Sequence, residues 1–152
     1  MEARLKNPAM LVPDAIQPLM ALAKTLQNGA VPPRTLGLVH ARVSQINACA
    51  VCLDLHGRQE KKAGEPDDRL LVLAGWRDAP CFTEAERAAL ALAEAETRLA
   101  DRAEAVPDDV WKDAARHYDE QALAVLVLHI ALVNLFNRVN VTTRQVAGAQ
   151  TW

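Results

Sequence analysis

Residues 83–99, TEAERAALALAEAETRL, carry the strongest fold signal in this chain of 152 residues. Thr83 and Glu86, three positions apart, form a capping box, in which each side chain bonds a backbone N–H group left free at the start of a helix. Small and apolar residues then recur every three or four positions, the spacing of one helix face. They are Ala85, Ala88, Ala89, Leu92, Ala95 and Leu99. The stretch therefore predicts an α-helix that begins at Thr83.

The composition of the whole chain agrees with this helix. It contains 28 Ala and 20 Leu, which are strong helix formers, and only six aromatic residues, which favour strands. With 51% hydrophobic and 24% charged residues, the chain has the balance of a globular protein. We therefore predict an all-α fold of about six to eight helices, forming a single domain over residues 1–152.

Charge and hydropathy exclude several classes of partner. A net charge of −2 and a pI near 6.1 argue against a strongly basic nucleic-acid surface. The first ten residues are charged and lack the apolar core of a secretory signal. The longest apolar run, residues 122–136, is shorter than the roughly 20 residues needed to cross a bilayer. We expect a cytoplasmic protein with no nucleic-acid or membrane partner, whose most apolar helix is covered in part by other subunits.

Prolines and polar caps predict where the other helices begin. The predicted starts are Pro13, Pro32-Pro33, Asn47 as an N-cap, Pro66, Pro107 and about Asp119. The helix after Asn47 ends near Gly64, and the last helix ends near Asn140. Residues from Val141 onward lack clear periodicity and are predicted to form a loose tail or a partner contact.

The segment 44–56, SQINACAVCLDLH, holds the residues with chemical potential. Residues three and four apart are neighbours on a helix, so Cys49, Cys52 and His56 form one stripe. Two thiols at this spacing can close a disulfide, and a helix N-terminus favours a thiolate. Peroxide reduction needs such a set: a thiolate, a proton donor, and a second thiol that resolves the sulfenic acid.

Other interpretations of the cysteines stay open at this point. Both can be small buried core residues with a satisfied histidine nearby. A zinc site needs four ligands, and the third cysteine, Cys81, has no paired ligand in the sequence, so we predict no metal. Haem attachment would require a histidine directly after Cys52, where Leu53 stands.

Residues 42–56, RVSQINACAVCLDLH, resemble the signature of the AhpD-like branch of the carboxymuconolactone decarboxylase superfamily. The resemblance covers residues 34–97 well and the C-terminal helix more loosely. Beyond the signature it rests on Gly64-Glu65, Arg69-Leu70, Trp76-Arg77, residues 80–90 (PCFTEAERAAL), Glu94, Thr97 and Asn137-Arg138. It implies an all-α fold that self-associates, commonly into trimers of paired subunits or hexamers.

The resemblance also implies a thiol-based alkylhydroperoxidase or disulfide reductase acting on a small hydroperoxide. In the family the second cysteine attacks and the first resolves, which makes Cys52 peroxidatic and Cys49 resolving, with His56 in the proton relay. Helix position alone favours Cys49 as the attacking thiolate. No bound cofactor is expected, and an external dithiol or protein reductant would restore the thiols.

Two relay positions of the family differ in this chain. The best-studied members have a glutamate twelve residues before the first cysteine, where Gly37 stands, and a histidine just before the second, where Val51 stands. Gly37, His40 and Ser44 share a helix face, so His40 and Ser44 are candidates for a replacement proton relay. Gly37 can instead allow close helix packing.

Other polar residues near the motif are expected to have structural roles. Asp54 and Glu60 are predicted on a solvated helix face. His129, in the most apolar helix, is predicted to be a hydrogen-bonded core or interface residue.

A thiol-dependent peroxidase is therefore the first functional prediction. Three alternatives remain. The loss of relay side chains favours a redox module or sensor with little peroxidase turnover. A decarboxylase-type lyase would leave the thiol pair unexplained, and a structural oligomer would make the cysteines inert.

Overall fold

A computed structural model describes residues 2–149 of the chain, without the side chains of Ala9 and Asp101. Within this range the chain forms helices and no strand, which confirms the predicted all-α fold. Eight α-helices follow one another: α1 Pro8–Leu11, α2 Pro13–Thr25, α3 Pro33–Ile46, α4 Ala50–Lys62, α5 Asp67–Val72, α6 Glu84–Thr97, α7 Asp108–His117 and α8 Glu120–Thr142. Two 3-10 helices, Leu73–Asp78 and Leu99–Asp101, follow α5 and α6.

Most helices begin where the sequence predicts. Thr83 Oγ1 accepts the N–H of Glu86 at 3.2 Å, and a Glu86 carboxylate oxygen accepts the N–H of Thr83 at 2.8 Å, which completes the capping box of α6. Asp119 caps α8 by accepting the N–H of Ala122 at 2.8 Å. The predicted N-cap at Asn47 is wrong, since Asn47 ends α3 and Cys49 caps α4 instead.

Helices α3, α6 and α8 form the centre of the molecule. Alanines on α6, including Ala89 and Ala93, are fully buried and let the neighbouring helices approach closely. A second apolar cluster joins α3 to the 3-10 helix through Leu38, Leu73 and Trp76. Helix α3 is thus packed on several sides, and its C-terminal end leads directly into the cysteine segment.

A buried carboxylate ties three elements of this centre together. Glu94 on α6 accepts hydrogen bonds from Arg42 Nε (2.7 Å), Trp76 Nε1 (3.0 Å) and Arg77 (2.8 Å). Burial by itself would raise the pKa of Glu94, but the bonds from Trp76, Arg77 and Arg42 outweigh burial and lower it below the usual value. Residues that carry the family resemblance therefore hold the fold together.

A second ionic group joins α5 to α6 and to the start of α3. Arg69 contacts Glu86 at 2.7 Å and Glu65 at 3.2 Å, and Arg34 contacts Glu65 at 2.6 Å. Among the described residues, Arg69 Nε is the buried side-chain nitrogen or oxygen without a hydrogen-bond partner.

Helix α8 has 23 residues and is longer than the apolar run 122–136. Its length and composition would suffice to cross a bilayer, but half of its most apolar window is buried inside the protein, as in a core helix. Leu128, Leu135 and Val141 remain exposed along it. Their cover by other subunits stays a prediction.

The predicted tail begins later than expected. Val141 still belongs to α8, and the chain then turns at Arg144, whose φ is 52°. Thr143 accepts the N–H of Arg4 at 2.9 Å, and the N–H of Gly148 reaches Asp54 Oδ2 at 3.1 Å. The tail to residue 149 thus packs against the N-terminal segment and α4, while residues 150–152 lie outside the described range.

Candidate active site

A tight turn between α3 and α4 presents the cysteine segment. Ala48 adopts a left-handed backbone conformation with φ of 53°, which lets the chain reverse between Asn47 and Cys49. Cys49 then caps α4, because its Sγ accepts the N–H of Cys52 at 3.3 Å. One of the backbone donors at the start of α4, the N–H of Cys52, therefore bonds the Cys49 sulfur.

Cys49 and Cys52 form a disulfide, with their Cα atoms 5.3 Å apart. Cys49 is 1% exposed and Cys52 is 6% exposed, so both residues are buried and Cys52 slightly less so. Cys81 is free and exposed ahead of α6. The structure therefore brings the two predicted cysteines together and leaves Cys81 apart.

His56 lies one turn beyond Cys52 on α4, with its side chain 15% exposed. Its Nε2 is 3.2 Å from the carbonyl oxygen of Gly37 on α3 and 3.2 Å from Glu60 Oε1. A carbonyl oxygen only accepts, so Nε2 carries a hydrogen in this arrangement. Nδ1 is then the ring nitrogen that can accept a proton from a reacting group.

Glu60 corrects one sequence prediction. Its side chain is only 14% exposed and lies against Gly37 instead of in solvent. A methyl group at position 37 would overlap the Glu60 carboxyl group. Asp54, the other predicted solvated acid, pairs with Arg58 at 2.8 Å on the outer side of α4. Sequence spacing could have revealed Glu60, because Cys52, His56 and Glu60 follow at four-residue intervals along one helix face.

Two further histidines stand behind His56. The imidazole of His40 on α3 stacks on that of His56, with ring centroids 3.9 Å apart and 8° between the planes. The ring centroid of His129 on α8 lies 6.0 Å from that of His40, and His129 Nε2 donates to the carbonyl oxygen of Leu36 at 3.1 Å. Burial has the largest effect on His40 and, together with the neighbouring His56 and His129, holds its pKa well below the usual value. Burial lowers the pKa of His129 to about 4, so both rings are neutral near pH 7.

Ser44 takes part in a different contact from His40. Its hydroxyl is buried and accepts a hydrogen bond from Asn137 Nδ2 at 3.1 Å. Asn47 Nδ2 donates to the side-chain oxygens of Asn134 (2.9 Å) and Asn137 (3.0 Å). These amides draw Asn47 toward α8, which explains why it does not cap α4. The role of His40 and Ser44 in a proton relay stays a prediction.

Asn140 is a site residue that sequence reasoning missed. Its Nδ2 donates to Cys52 Sγ at 3.5 Å. The available signal was the spacing of Asn134, Asn137 and Asn140, which places three amides three residues apart in an otherwise apolar helix. Within residues 2–149 no group of three or more His, Cys, Asp or Glu side chains is arranged to hold a metal ion.

Comparison with known sequences gives a consistent set of relatives. The profile of the carboxymuconolactone decarboxylase family matches residues 13–95. The uncharacterized protein YdfG of Bacillus subtilis (strain 168) is 32% identical over 131 residues, which cover 86% of this chain and 88% of YdfG. The uncharacterized protein YnjA of Escherichia coli (strain K12) is 36% identical over 108 residues, which cover 71% of this chain and 58% of YnjA.

Solved structures share the same fold. ATU0492 from Agrobacterium tumefaciens, a protein of unknown function put forward as the antioxidant defence protein AhpD, has a TM-score of 0.89 at 29% identity and covers 98% of this chain and 100% of its own. The debrominase Bmp8 has a TM-score of 0.76 at 19% identity, with 90% of this chain and 73% of that one covered. A peroxidase-related protein from Silicibacter sp. TM1040 has a TM-score of 0.76 at 20% identity, with 90% and 71% covered. The last two similarities concern the fold alone.

Proposed function

Because the chain is an AhpD-like member of the carboxymuconolactone decarboxylase family, we propose that it is a thiol-dependent peroxidase acting on a small hydroperoxide. The observation that carries this proposal is the Cys49–Cys52 disulfide at the start of α4, with His56 one turn further along the helix. A disulfide is the expected product when one thiol has reduced a peroxide and the other has resolved the sulfenic acid.

The reaction balances with the two cysteines and one external dithiol. The Cys52 thiolate attacks the outer oxygen of the hydroperoxide and breaks the O–O bond, giving Cys52 sulfenic acid, and the leaving alkoxide takes a proton from His56 to become the alcohol. Cys49 then loses its thiol proton and attacks the Cys52 sulfur as the thiolate, and the departing hydroxide takes up that proton and leaves as water. A dithiol or protein reductant in the cytoplasm transfers two electrons to the disulfide and is itself oxidised.

The surroundings of the two sulfurs support these roles. Cys52 is the slightly more exposed residue of the pair, and its Sγ accepts a hydrogen bond from the Asn140 amide, a donor that stabilises negative charge on sulfur. Cys49 is more deeply buried and accepts the N–H of Cys52 at the helix N-terminus. That position favours a Cys49 thiolate, which the resolving step also requires.

Single cysteine variants test the proposal, with Cys81→Ser as the matched control because Cys81 is exposed and free. Consumption of H2O2 and of an organic hydroperoxide is followed with excess dithiol. Cys81→Ser should keep the wild-type rate and Cys52→Ser should lose peroxide reduction. Cys49→Ser should accumulate a sulfenic acid that a dimedone-type probe maps to Cys52. Full activity in Cys52→Ser would refute the proposal.

A second candidate is a disulfide reductase or redox sensor with little peroxide turnover. It is favoured by Gly37 and Val51, which offer no proton-transferring side chain at the two positions where the family resemblance expects one. A reversible Cys49–Cys52 disulfide combined with negligible peroxide consumption by wild type would support this candidate over the peroxidase.

A further inference from the structure

Among the glycines that the structure describes, Gly37 is the one whose missing side chain makes room for the side chain of another residue. A methyl group built there would overlap the carboxyl carbon and both oxygens of Glu60, whereas a methyl group at any of the other five glycines would meet nothing within 4 Å. Glycine is disfavoured inside a helix such as α3, because it loses more conformational freedom on folding than other residues do. The gap at Gly37 therefore has a specific occupant, the Glu60 carboxyl group from the neighbouring α4.

The occupied gap brings the carboxyl group to the ring of His56. Glu60 Oε1 and the Gly37 carbonyl oxygen both lie 3.2 Å from His56 Nε2, so two acceptors surround the same N–H. This arrangement selects the tautomer with hydrogen on Nε2 and leaves Nδ1 free. Cys52, one turn earlier on the same helix face, is the group whose proton His56 would take.

The charges around His56 leave Glu60 as its ionic partner. From α3, His40 stacks on the ring and is neutral because burial and the neighbouring histidines lower its pKa. From α8, His129 is also neutral near pH 7, since burial lowers its pKa to about 4. On α4, Asp54 is paired with Arg58. A protonated His56 is therefore stabilised chiefly by the Glu60 carboxylate.

We propose that Glu60 is the positioning residue of the His56 proton relay and that Gly37 is there to admit it. Glu60 holds Nε2–H and stabilises the imidazolium formed when Nδ1 accepts the Cys52 proton, before His56 passes that proton to the leaving alkoxide. This inference rests on the proposed peroxidase function for its kinetic consequence, but the pairing of Glu60 with His56 can be tested without it.

Three variants separate the effect of the Glu60 charge from the effect of the position of its carboxyl group. Glu60→Gln keeps the shape and removes the charge. Gly37→Ala should push the flexible Glu60 carboxyl group away from His56 and leave the fold intact. The double variant should resemble either single variant, because both remove the same contact. Glu84→Gln is the matched control, since that side chain is 83% exposed on α6.

The first readout is the single-turnover rate of disulfide formation with peroxide, measured against pH. We expect each single variant to lose at least about tenfold in rate with an altered pH profile, and Glu84→Gln to match wild type in both. Moving the carboxylate, with Gly37→Glu in the Glu60→Ala background, should recover part of the rate. If wild type is active and Glu60→Gln has the same rate and the same pH profile, the inference is overturned and the peroxidase proposal stands.

The second readout does not need peroxide. In 15N NMR spectra of labelled protein, His56 should carry hydrogen on Nε2 when neutral, and its Nε2–H resonance should shift in Glu60→Gln and Gly37→Ala, because each variant alters the carboxylate contact with this N–H. This outcome supports the inference even if wild type does not consume peroxide. An unchanged His56 Nε2–H resonance in both variants would refute it.

Discussion

The side-chain amide of Asn140 on α8 donates a hydrogen bond to Cys52 Sγ on α4 across 3.5 Å. This contact distinguishes the two cysteine sulfurs, because Cys49 Sγ receives its hydrogen bond from the Cys52 backbone instead. A fixed amide dipole beside a sulfur costs no reorganisation when negative charge develops there. The contact therefore leads to a prediction about the reactivity of Cys52.

Replacing Asn140 with alanine should slow alkylation of Cys52 in the reduced protein. A hydrogen bond to a charged group contributes about 1.5–3 kcal/mol, so we expect roughly a tenfold lower rate at pH 7 and a smaller difference at high pH, where the thiolate forms without help. The measurement is iodoacetamide labelling in a Cys49→Ser, Cys81→Ser background. Gln121→Ala, exposed at the start of α8, is the control. Equal labelling rates across the pH range would show that Asn140 does not act on the sulfur.

The stacked His40 ring should support His56 by packing. Parallel rings 3.9 Å apart meet through their faces, a geometry that offers no hydrogen bond for proton transfer. We therefore expect His40→Phe to keep the peroxide rate within about threefold of wild type and to keep its pH profile. His40→Ala should lower the rate further because the His56 ring loses its support. A loss of about a hundredfold in His40→Phe would instead establish the proton relay that the sequence predicts for this residue.

The fold was largely predictable because its signals are local. The capping box at Thr83 and the prolines at the start of α2 and α3 act over one helical turn, and the structure has the helices that they predict. The N-cap of α4 was not predictable in the same way. Asn47 is drawn away by amides some 90 residues distant in sequence, and a cysteine sulfur takes its place as the cap.

The candidate site shows the same division. The placement of Cys52 and His56 on one face follows from helical spacing, while Cys49 lies just before α4 as its N-cap. The position of the Glu60 carboxyl group depends on the approach of α4 to Gly37, and the stack of His40 on His56 depends on the same packing of two helices. The four-residue spacing of Cys52, His56 and Glu60 places Glu60 on the site face of α4, but it gives no local sign that a partner helix covers the carboxyl group. The burial of Glu60 therefore becomes visible only in the fold.

Relieving the strained backbone at Ala48 should stabilise the protein. A left-handed conformation costs a residue with a Cβ atom about 1–2 kcal/mol, part of which glycine gives back through its more flexible unfolded state. With φ of 53° at Ala48, we expect Ala48→Gly to raise the free energy of unfolding by about 0.5–1 kcal/mol in urea titrations. Ala124→Gly, at an exposed position inside α8, should lower it by about 1 kcal/mol. A change in the free energy of unfolding with the same sign for both variants would contradict the assignment of strain to Ala48.

Removing the Glu94 carboxylate should be severely destabilising. The side chain is 5% exposed and its main partner, Arg42, is 12% exposed, so the variant would leave a buried guanidinium without its counter-charge. Breaking a buried ion pair from one side costs about 3–5 kcal/mol, which we expect for Glu94→Ala in chemical denaturation. Glu84→Ala, at an exposed position of the same helix, should change stability by less than about 0.5 kcal/mol. A loss below about 1 kcal/mol for Glu94→Ala would show that solvent reaches Arg42 and compensates its charge.

The buried histidines should make the protein less stable in mild acid. Burial lowers the pKa of His129 from 6.5 to about 4, so the unfolded chain binds its proton more readily than the folded protein. The stabilisation is complete above pH 6.5 and is lost as the pH falls toward about 4. At about 1.4 kcal/mol per pKa unit, His129 accounts for about 3 kcal/mol at most over this window.

Glu96 acts in the opposite direction over the same window. Burial raises its pKa from 4.5 to about 7, so this carboxyl group favours the folded protein at low pH and loses that effect as the pH rises toward 7. The total stability curve therefore mixes two opposing contributions. Comparing wild type with His129→Gln at each pH isolates the histidine. The stability of wild type relative to the variant should decrease steadily from pH 7 to pH 4 in denaturant titrations, and a difference independent of pH would show that His129 is protonated in the folded protein as readily as in the unfolded chain.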